Sequence, residues 1–223
     1  MDKGHLAPLT IEKIQQFLDS PLPGAVAQKK MAPQSRTGEL DRWHVPADCR
    51  KAAVLLLLYP HANNGRPPEL HLALIRRTEY DGAHSGQIAL PGGRREDGES
   101  LQETALRETM EEIGVTPRQV QVIGGLSPLY TPPSNFCITP FVAISTRRPD
   151  FQLDDKEVAA LLEVPVRQLL NPALHRKELW QFQNYGQRVV PFFDISGQKV
   201  WGATAMILSE FLTLLSDGFF NTD

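Results

Sequence analysis

Cysteine is scarce in this chain: Cys49 and Cys137 are the only two among 223 residues. Their spacing matches no metal-binding pattern, and two cysteines are too few for the disulfide framework that stabilises many small secreted domains. From the cysteine content we therefore expect a reducing, intracellular setting.

Long apolar runs and an excess of positive charge are also missing. The run AAVLLLLY at residues 52–59 is too short to cross a bilayer and is typical of a fully buried strand. The N-terminal residues show no apolar core of a secretory signal, so we expect a cytoplasmic protein with no membrane partner. The formal net charge of -3 argues against a nucleic-acid partner, but it allows a local cationic patch for a small phosphate-bearing ligand.

The composition, with 41% hydrophobic and 22% charged residues, is typical of a soluble globular domain. Helical and strand patterns are mixed without the regular alternation of a doubly wound fold, so we predict an α+β layered domain. Residues 1–45 are predicted to supply one helix, at 10–18, and an irregular segment that wraps the core, and residues 46–223 the main domain. Strands are predicted at 52–59, 70–77 (half-buried), 119–126 and 138–145, a hairpin within 179–193, and further helices at about 100–113 and 200–215.

The stretch LRETMEEIGV at residues 106–115 crowds three carboxylates, those of Glu108, Glu111 and Glu112, into a turn and a half of helix. Like charges at these spacings destabilise a helix by about 0.2–0.5 kcal/mol per pair. A hard divalent cation such as Mg²⁺ or Mn²⁺ would offset that repulsion, because it prefers oxygen ligands. The alternative interpretation is a solvated acidic helix end. A capping-box pattern at residues 100–103 marks the start of the helix.

The helical period predicts which face of this helix is packed. At about 100° per residue, Leu106, Met110 and Ile113 point in one direction, whereas Glu108 and Glu112 point roughly the opposite way. The apolar face is therefore expected to pack on the core and to hold the acidic face against whatever ligand lies above it.

From Gly93 to Val115 the chain reads G-x5-E-x7-R-E-x-x-E-E-x-G-V. This pattern resembles the signature of the Nudix hydrolase family at every charged and glycine position. Thr109 stands where the family usually has an aliphatic residue, and it is expected at the edge of the packed face. The resemblance covers about residues 50–215. It implies an α/β/α sandwich around a mixed β-sheet and hydrolysis of a nucleoside diphosphate linked to another group.

The same resemblance implies roles for the motif residues. Glu111 matches a residue that binds metal or helps to activate water, whereas Glu99 and Arg107 match positions that brace the loop and the helix. The implied ligands of Mg²⁺ or Mn²⁺ are the backbone carbonyl of Gly93 and the side chains of Glu108, Glu111 and Glu112.

Family members often take their general base from outside the motif, and the acidic segment LDDKEV offers candidates in Asp154, Asp155 and Glu157. A carboxylate within hydrogen-bond reach can accept the proton of an attacking water. We select Glu157, because the Glu-Val pair ahead of LLEVP resembles the corresponding region of one subfamily. A solvated acidic loop is the alternative.

The segment before the signature, residues 72–93, resembles that of coenzyme A-type Nudix enzymes. Arg77, Gly86 and Ile88 lie at the expected offsets. Gly82, however, stands where a second arginine is expected, and glycine cannot bind a phosphate as arginine does. The other departures from the pattern are Ile75, Thr78 and Leu90.

Arg76, Arg94 or Arg95 could supply the missing charge, although each reads singly as an ordinary surface arginine. The substrate contacts that we predict from this resemblance are Arg76, Arg77, Gly86, Gln87 and Arg94.

The implied reaction is the cleavage of coenzyme A to adenosine 3′,5′-bisphosphate and 4′-phosphopantetheine. One alternative is a Nudix pyrophosphatase that acts on a dinucleoside polyphosphate, ADP-ribose or a nucleotide sugar. Another is a catalytically silent nucleotide sensor, which the intact set of glutamates disfavours. The terminal helix is compatible with packing on its own domain or on a second copy, so a homodimer stays open.

Overall fold

The computed structural model describes residues 10–35, 45–62, 67–79, 85–183 and 186–220. Five α-helices occur in these ranges: α1 (Ile11–Leu18), α2 (Gly24–Lys29), α3 (Leu101–Ile113), α4 (Val166–Leu169) and α5 (Gly202–Phe220). The strands are β1 (Gln34–Ser35), β2 (Arg50–His61), β3 (Glu69–Arg77), β4 (Ile88–Ala89), β5 (Gly92–Arg94), β6 (Gln121–Gly125), β7 (Leu129–Thr131), β8 (Phe136–Ile144), β9 (Val158–Pro165), β10 (His175–Phe182), β11 (Gly186–Ile195) and β12 (Gln198–Trp201).

The larger sheet has eight strands and is mixed. Its path runs β4-β3-β2-β8-β6, with β5 beside β2, β7 beside β8 and β9 beside β3. β2 and β8 are parallel, and the other pairs are antiparallel. The predicted α+β class with a mixed sheet is confirmed.

The central strand β2 is covered on both faces, because side chains alternate along a strand. Leu55 and Leu57 pack in a cluster that contains residues of α3, whereas Leu56 and Leu58 pack in a second cluster with residues of α5. The sheet therefore lies between helical layers, as the resemblance implied. β3 was predicted to be half-buried, but the same two layers bury every residue at 71–75.

A smaller antiparallel sheet, β1-β11-β10 with β12 beside β11, packs beside the larger one. β10 and β11 form the predicted hairpin, and Tyr185, at the expected turn, lies outside the described residues. The terminal helix was predicted to start at Val200, but that residue belongs to β12. The helix starts only at Gly202, whose φ of +63° suits a residue without a side chain.

The N-terminal segment is more ordered than predicted, because residues 25–50 contain most of α2 and all of β1. Its anchor is the buried carboxylate of Glu210 on α5. Oε1 accepts hydrogen bonds from the backbone amides of Gly24 (3.2 Å) and Ser127 (3.1 Å), and Oε2 accepts one from Nε2 of Gln28 (2.8 Å). α5 thus packs on its own chain and holds α2 there.

The two cysteines are joined: Cys49 and Cys137 form a disulfide with their Cα atoms 5.8 Å apart. The parallel register of β2 and β8 places Lys51 beside Cys137, so Cys49 lies at the same end of the sheet although 88 positions separate the two cysteines. The disulfide removes the argument for a reducing setting that was based on the cysteine count.

Across the described ranges, no helix is both long and apolar enough to span a membrane.

Candidate active site

Local sequence fixes both ends of α3. The side chain of Ser100 accepts a hydrogen bond from the amide of Glu103 (3.2 Å), and Glu103 Oε2 accepts one from the amide of Ser100 (2.7 Å). At the other end Gly114 adopts a φ of +75°, and its amide donates to the carbonyl of Met110 (3.0 Å). The predicted capping box is confirmed, and the left-handed Gly114 ends the helix.

The packed face of α3 differs from the prediction. Met110 is 42% exposed, whereas Glu112 is only 1% exposed. Thr109 is also buried rather than at the edge, and its Oγ1 donates to the carbonyl of Ala105 (2.7 Å). The prediction was wrong because it placed Glu112 opposite the packed face from the helical period alone. Glu112 can lie inside because the backbone amide of Gly92 donates to it.

Two glycines of β5 let the helix approach the sheet. Gly92 has a φ of +146°, and a Cβ at this position would overlap the carbonyl of Ala53. A Cβ on Gly93 would overlap the carboxylate of Glu108. The glycine pair therefore brings the acidic side chains of α3 directly against the backbone of β5.

Burial governs the charge state of the innermost carboxylate. Its own desolvation raises the pKa of Glu112 to about 8, and the charges of Glu108 and Glu157 act in the same direction. The hydrogen bond from Gly92 (2.8 Å, to Oε2) and the Arg77 guanidinium (3.4 Å, to Oε1) oppose this rise. Burial also raises the pKa of Glu108, although a neighbouring arginine acts against it.

Arg107 joins the loop to the helix. Its Nε and Nη2 bind the two carboxylate oxygens of Glu99 at 3.1 and 2.9 Å, and Nη2 also donates to the carbonyl of Arg94. Nη1 bridges Glu108 and Glu111, at 2.9 Å to each. The hydrogen bonds from Arg107 lower the pKa of Glu99 to about 2. Arg107 thus links Glu99 of the loop to Glu108 and Glu111 of α3, and the bracing role implied by the resemblance stays a prediction.

The donor set implied for a metal consists of oxygen atoms, which suits Mg²⁺ or Mn²⁺. The raised pKa values of Glu108 and Glu112 reflect burial together with carboxylate crowding, which a cation would relieve. In the described portion of the chain no three His, Cys, Asp or Glu side chains converge on one point. Arg107 instead holds Glu108 and Glu111. The oxygen donors of these residues suit a divalent cation chemically.

Glu157 lies beside the acidic cluster. The backbone amide of Asp154 donates a hydrogen bond to the carbonyl of Glu112 (3.0 Å). The backbone amide of Glu157 donates one to the carbonyl of Asp154 (3.0 Å), so the loop that carries Glu157 is attached to the end of α3. The charge of Glu157 contributes to the raised pKa of both Glu108 and Glu112. The carboxylate of Asp154, by contrast, accepts a hydrogen bond from the amide of Lys156 within its own turn. Glu157 as the base stays a prediction.

A sequence model of the NUDIX domain matches residues 50–184, a span that contains the glycine pair and α3. The chain belongs to the Nudix family. It is 36% identical over 170 residues to a protein described as "Uncharacterized Nudix hydrolase NudL" from Pectobacterium atrosepticum, covering 75% of this chain and 84% of the relative. A protein with the same description from Yersinia pestis is 34% identical over 161 residues, covering 71% and 76%. The solved Nudix hydrolase RenU from M. smegmatis is 23% identical, with a TM-score of 0.45 over 54% of this chain and 73% of that one.

The chain is therefore a Nudix hydrolase, an enzyme that acts on pyrophosphate bonds of nucleotide derivatives. A cavity of about 820 Å³ opens beside its glycine pair. Among the predicted substrate contacts, Arg77, Gln87 and Arg94 line this cavity. Arg76 is exposed and is not among the lining residues, because strand alternation points it away from Arg77. Gly86 forms the preceding turn with a φ of +66°. These roles stay predictions.

Several residues that line the cavity could not be identified from the signature, because they lie far from it in the chain. Trp201 of β12 is an example, because it lines this cavity of the Nudix hydrolase although 86 positions separate it from the end of the signature at Val115. Gly82, the departure from the coenzyme A-type pattern, lies outside the described residues. The lining residues that sequence reasoning missed include Arg50, Phe136, Phe182, Arg188 and Trp201.

Proposed function

We propose that this Nudix hydrolase cleaves coenzyme A to adenosine 3′,5′-bisphosphate and 4′-phosphopantetheine. The resemblance of residues 72–93 to coenzyme A-type enzymes supports this substrate. The observation that carries the proposal is the cavity, because it adjoins the glycine pair, combines arginines with apolar walls and has the size of a small-molecule site. Coenzyme A likewise joins several phosphates to a long, weakly polar arm.

In this proposal the carboxylates of α3 and the carbonyl of Gly93 hold Mg²⁺ or Mn²⁺. When bound, the cation supplies charge neutralisation at the diphosphate and lowers the pKa of the attacking water. Arg77 and Arg94 line the cavity beside the glycine pair, and each carries a guanidinium that can bind phosphate oxygens. Arg107 and Glu99 fix the loop against the helix, so that the acidic side chains keep their positions.

Glu157 is the proposed general base. A water oxygen forms a bond to one phosphorus of the diphosphate, and the bond from that phosphorus to the bridging oxygen breaks. The bridging oxygen keeps the electron pair and leaves as part of the second phosphate. One proton of the water passes to the carboxylate of Glu157, and the other stays on the new phosphate until solvent removes it.

The test is a product assay with purified protein and coenzyme A, with and without millimolar Mg²⁺ or Mn²⁺, followed by chromatography. ADP-ribose, a dinucleoside polyphosphate and a nucleotide sugar are assayed in parallel, with Glu112→Gln as the inactive control. We expect cation-dependent release of adenosine 3′,5′-bisphosphate that the variant loses. Turnover of another panel member in place of coenzyme A would overturn the substrate, and binding without any turnover would favour a nucleotide sensor.

A further inference from the structure

The cavity beside the glycine pair extends between the two sheets, well beyond the acidic cluster. One wall comes from the larger sheet and includes Phe136 and Ile138 of β8. The opposite wall comes from the smaller sheet and the start of α5, and includes Phe182 and Trp201, whose ring centroids are 5.9 Å apart. Such a cavity has room for much more than a diphosphate.

The charges around this cavity are of one sign. Four arginines line it, whereas no aspartate or glutamate occurs among the described lining residues. Arg94 follows the glycine pair directly, and Arg77 contacts Glu112 at 3.4 Å. These two arginines adjoin the expected position of the diphosphate. The remaining two, Arg50 on β2 and Arg188 on β11, belong to different sheets and therefore to different walls.

Arg188 is half-buried at the cavity wall and has unused donors. Its Nη1 donates to the carbonyl of Gln187 (2.9 Å), but its buried Nε has no partner among the residues that the structure describes. Within the same residues no carboxylate lies at ion-pair distance from Arg188. Buried donors are nearly always satisfied in proteins, so an arginine left in this state indicates an acceptor from a ligand.

Arg50 is held in place from two sides. Its Nη2 donates to the carbonyl of Ser134 (2.6 Å), and its guanidinium carbon lies 4.1 Å from the ring centroid of Phe136. The described residues place no carboxylate at ion-pair distance from it either. Stacking on an aromatic ring leaves the remaining N–H groups of an arginine directed outward in its plane, where they can bind an anion.

We propose that Arg188, together with Arg50, binds a second phosphate group of the substrate, a phosphomonoester separate from the diphosphate that is cleaved. Arg77 and Arg94 lie beside the glycine pair and are available to the diphosphate. Arg50 and Arg188 lie on other walls of the cavity, where their positive charges suit a second anionic group. This inference rests on the proposed function, and it makes Arg188 the residue that distinguishes coenzyme A from 3′-dephospho-coenzyme A.

The first test measures binding of reaction products, which does not depend on turnover. Isothermal titration compares adenosine 3′,5′-bisphosphate with adenosine 5′-monophosphate for wild type, Arg188→Gln and Arg176→Gln. Arg176 is a matched control, because it is an exposed arginine of the same sheet, paired with Asp194 at 3.0 Å. Wild type and Arg176→Gln should bind the bisphosphate about tenfold or more tightly than the monophosphate, and Arg188→Gln should show almost no preference.

The second test compares kcat/KM for coenzyme A and 3′-dephospho-coenzyme A. Arg188→Gln should lower kcat/KM for coenzyme A by about tenfold or more, whereas kcat/KM for 3′-dephospho-coenzyme A should not change. Arg188→Lys should retain part of the preference for coenzyme A. The lysine variant also replaces the glutamine variant in both tests if the latter does not fold. Equal losses on both substrates, or no loss, would overturn the inference.

The two proposals can fail separately. If coenzyme A is not cleaved, but the bisphosphate preference is present and disappears in Arg188→Gln, the substrate is wrong and the second phosphate site stands. The opposite failure is also distinguishable. If kcat/KM is the same for coenzyme A and 3′-dephospho-coenzyme A, and wild type binds adenosine 3′,5′-bisphosphate and adenosine 5′-monophosphate equally, the second phosphate site is wrong and the reaction stands.

Discussion

The backbone amide of Gly92 donates a 2.8 Å hydrogen bond to Oε2 of Glu112, and through this contact strand β5 and helix α3 hold each other in register. The carboxylate is almost fully buried, so it depends on this bond and on Arg77 for stabilisation. A charge placed in this way is poorly solvated in the absence of a cation.

Cation binding should stabilise wild type but not Glu112→Gln. A cation that binds only the folded state adds about 2.7 kcal/mol at a concentration one hundred times its Kd, and the variant lacks one of the carboxylates proposed to bind it. The measurement is the Tm with EDTA and with Mg²⁺ or Mn²⁺ for both proteins, and Asp97→Asn, an exposed acidic residue of the preceding loop, serves as control. Equal shifts in all three proteins would contradict the assigned ligand set.

Glu157→Gln should reduce kcat by about 10²- to 10⁴-fold with little change in KM, because it removes the proposed proton acceptor while keeping the shape of the side chain. Asp155→Asn is the matched control in the same acidic loop and should retain activity. Steady-state kinetics at saturating Mg²⁺ provide the comparison. If the asparagine variant loses as much activity as the glutamine variant, the loop acts through its overall charge and Glu157 is not the base.

Gly93→Ala should abolish most activity, because its Cβ would overlap the carboxylate of Glu108 and displace it. Gly98→Ala is a useful control in the same loop: its φ of +88° is strained for alanine, but no heavy atom lies within 4 Å of the added Cβ. We expect Gly98→Ala to lower stability by about 1 kcal/mol and to keep its turnover. Full activity in Gly93→Ala would show that the close approach to Glu108 is unnecessary.

The Glu99 contact with Arg107 should make stability depend on pH. The pKa of Glu99 falls from an ordinary 4.5 to about 2 on folding, so its ionised form stabilises the protein above about pH 4.5, and this contribution is lost as the pH falls toward 2. Glu99→Gln should therefore be less stable than wild type at pH 6, and the gap should close toward pH 2. Urea unfolding across this pH range measures the difference in the free energy of unfolding between wild type and Glu99→Gln. A difference that does not depend on pH would contradict the stabilising contact between Glu99 and Arg107. Glu96→Gln, an exposed neighbour, should show no such gap.

Features that depend on neighbouring residues could be predicted from the sequence. The side chain of Thr10 caps α1 by accepting a hydrogen bond from the amide of Lys13, and Ser100 caps α3 as its capping box indicated. The apolar run at residues 52–59 forms most of β2, as its short length and continuous apolar character indicated. The signature also placed the acidic cluster on the correct helix.

Features that depend on distant residues could not be predicted in this way. Helical periodicity alone misassigned Met110 and Glu112, because the partner that draws Glu112 inward is a backbone amide twenty positions earlier. Arg188 lines the cavity only because the smaller sheet folds over the larger one, and no local pattern around it reports this contact. Cys49 and Cys137 approach each other only through the parallel register of two strands.

Glu210 has a consequence for how sequences of this type can vary. Its carboxylate gathers donors from Gly24, Gln28 and Ser127, parts of the chain that are far apart in sequence, and it lies beyond residues 50–184, where the family match ends. Loss of the side-chain donor at 28 removes a hydrogen bond from the buried carboxylate of Glu210. Loss of the acid at 210 removes one of the two acceptors of the buried Gln28 side chain, the other being the carbonyl of Ser127. Positions 28 and 210 should therefore change together among related chains, so that covariation would reveal which relatives retain this N-terminal helix in the same place.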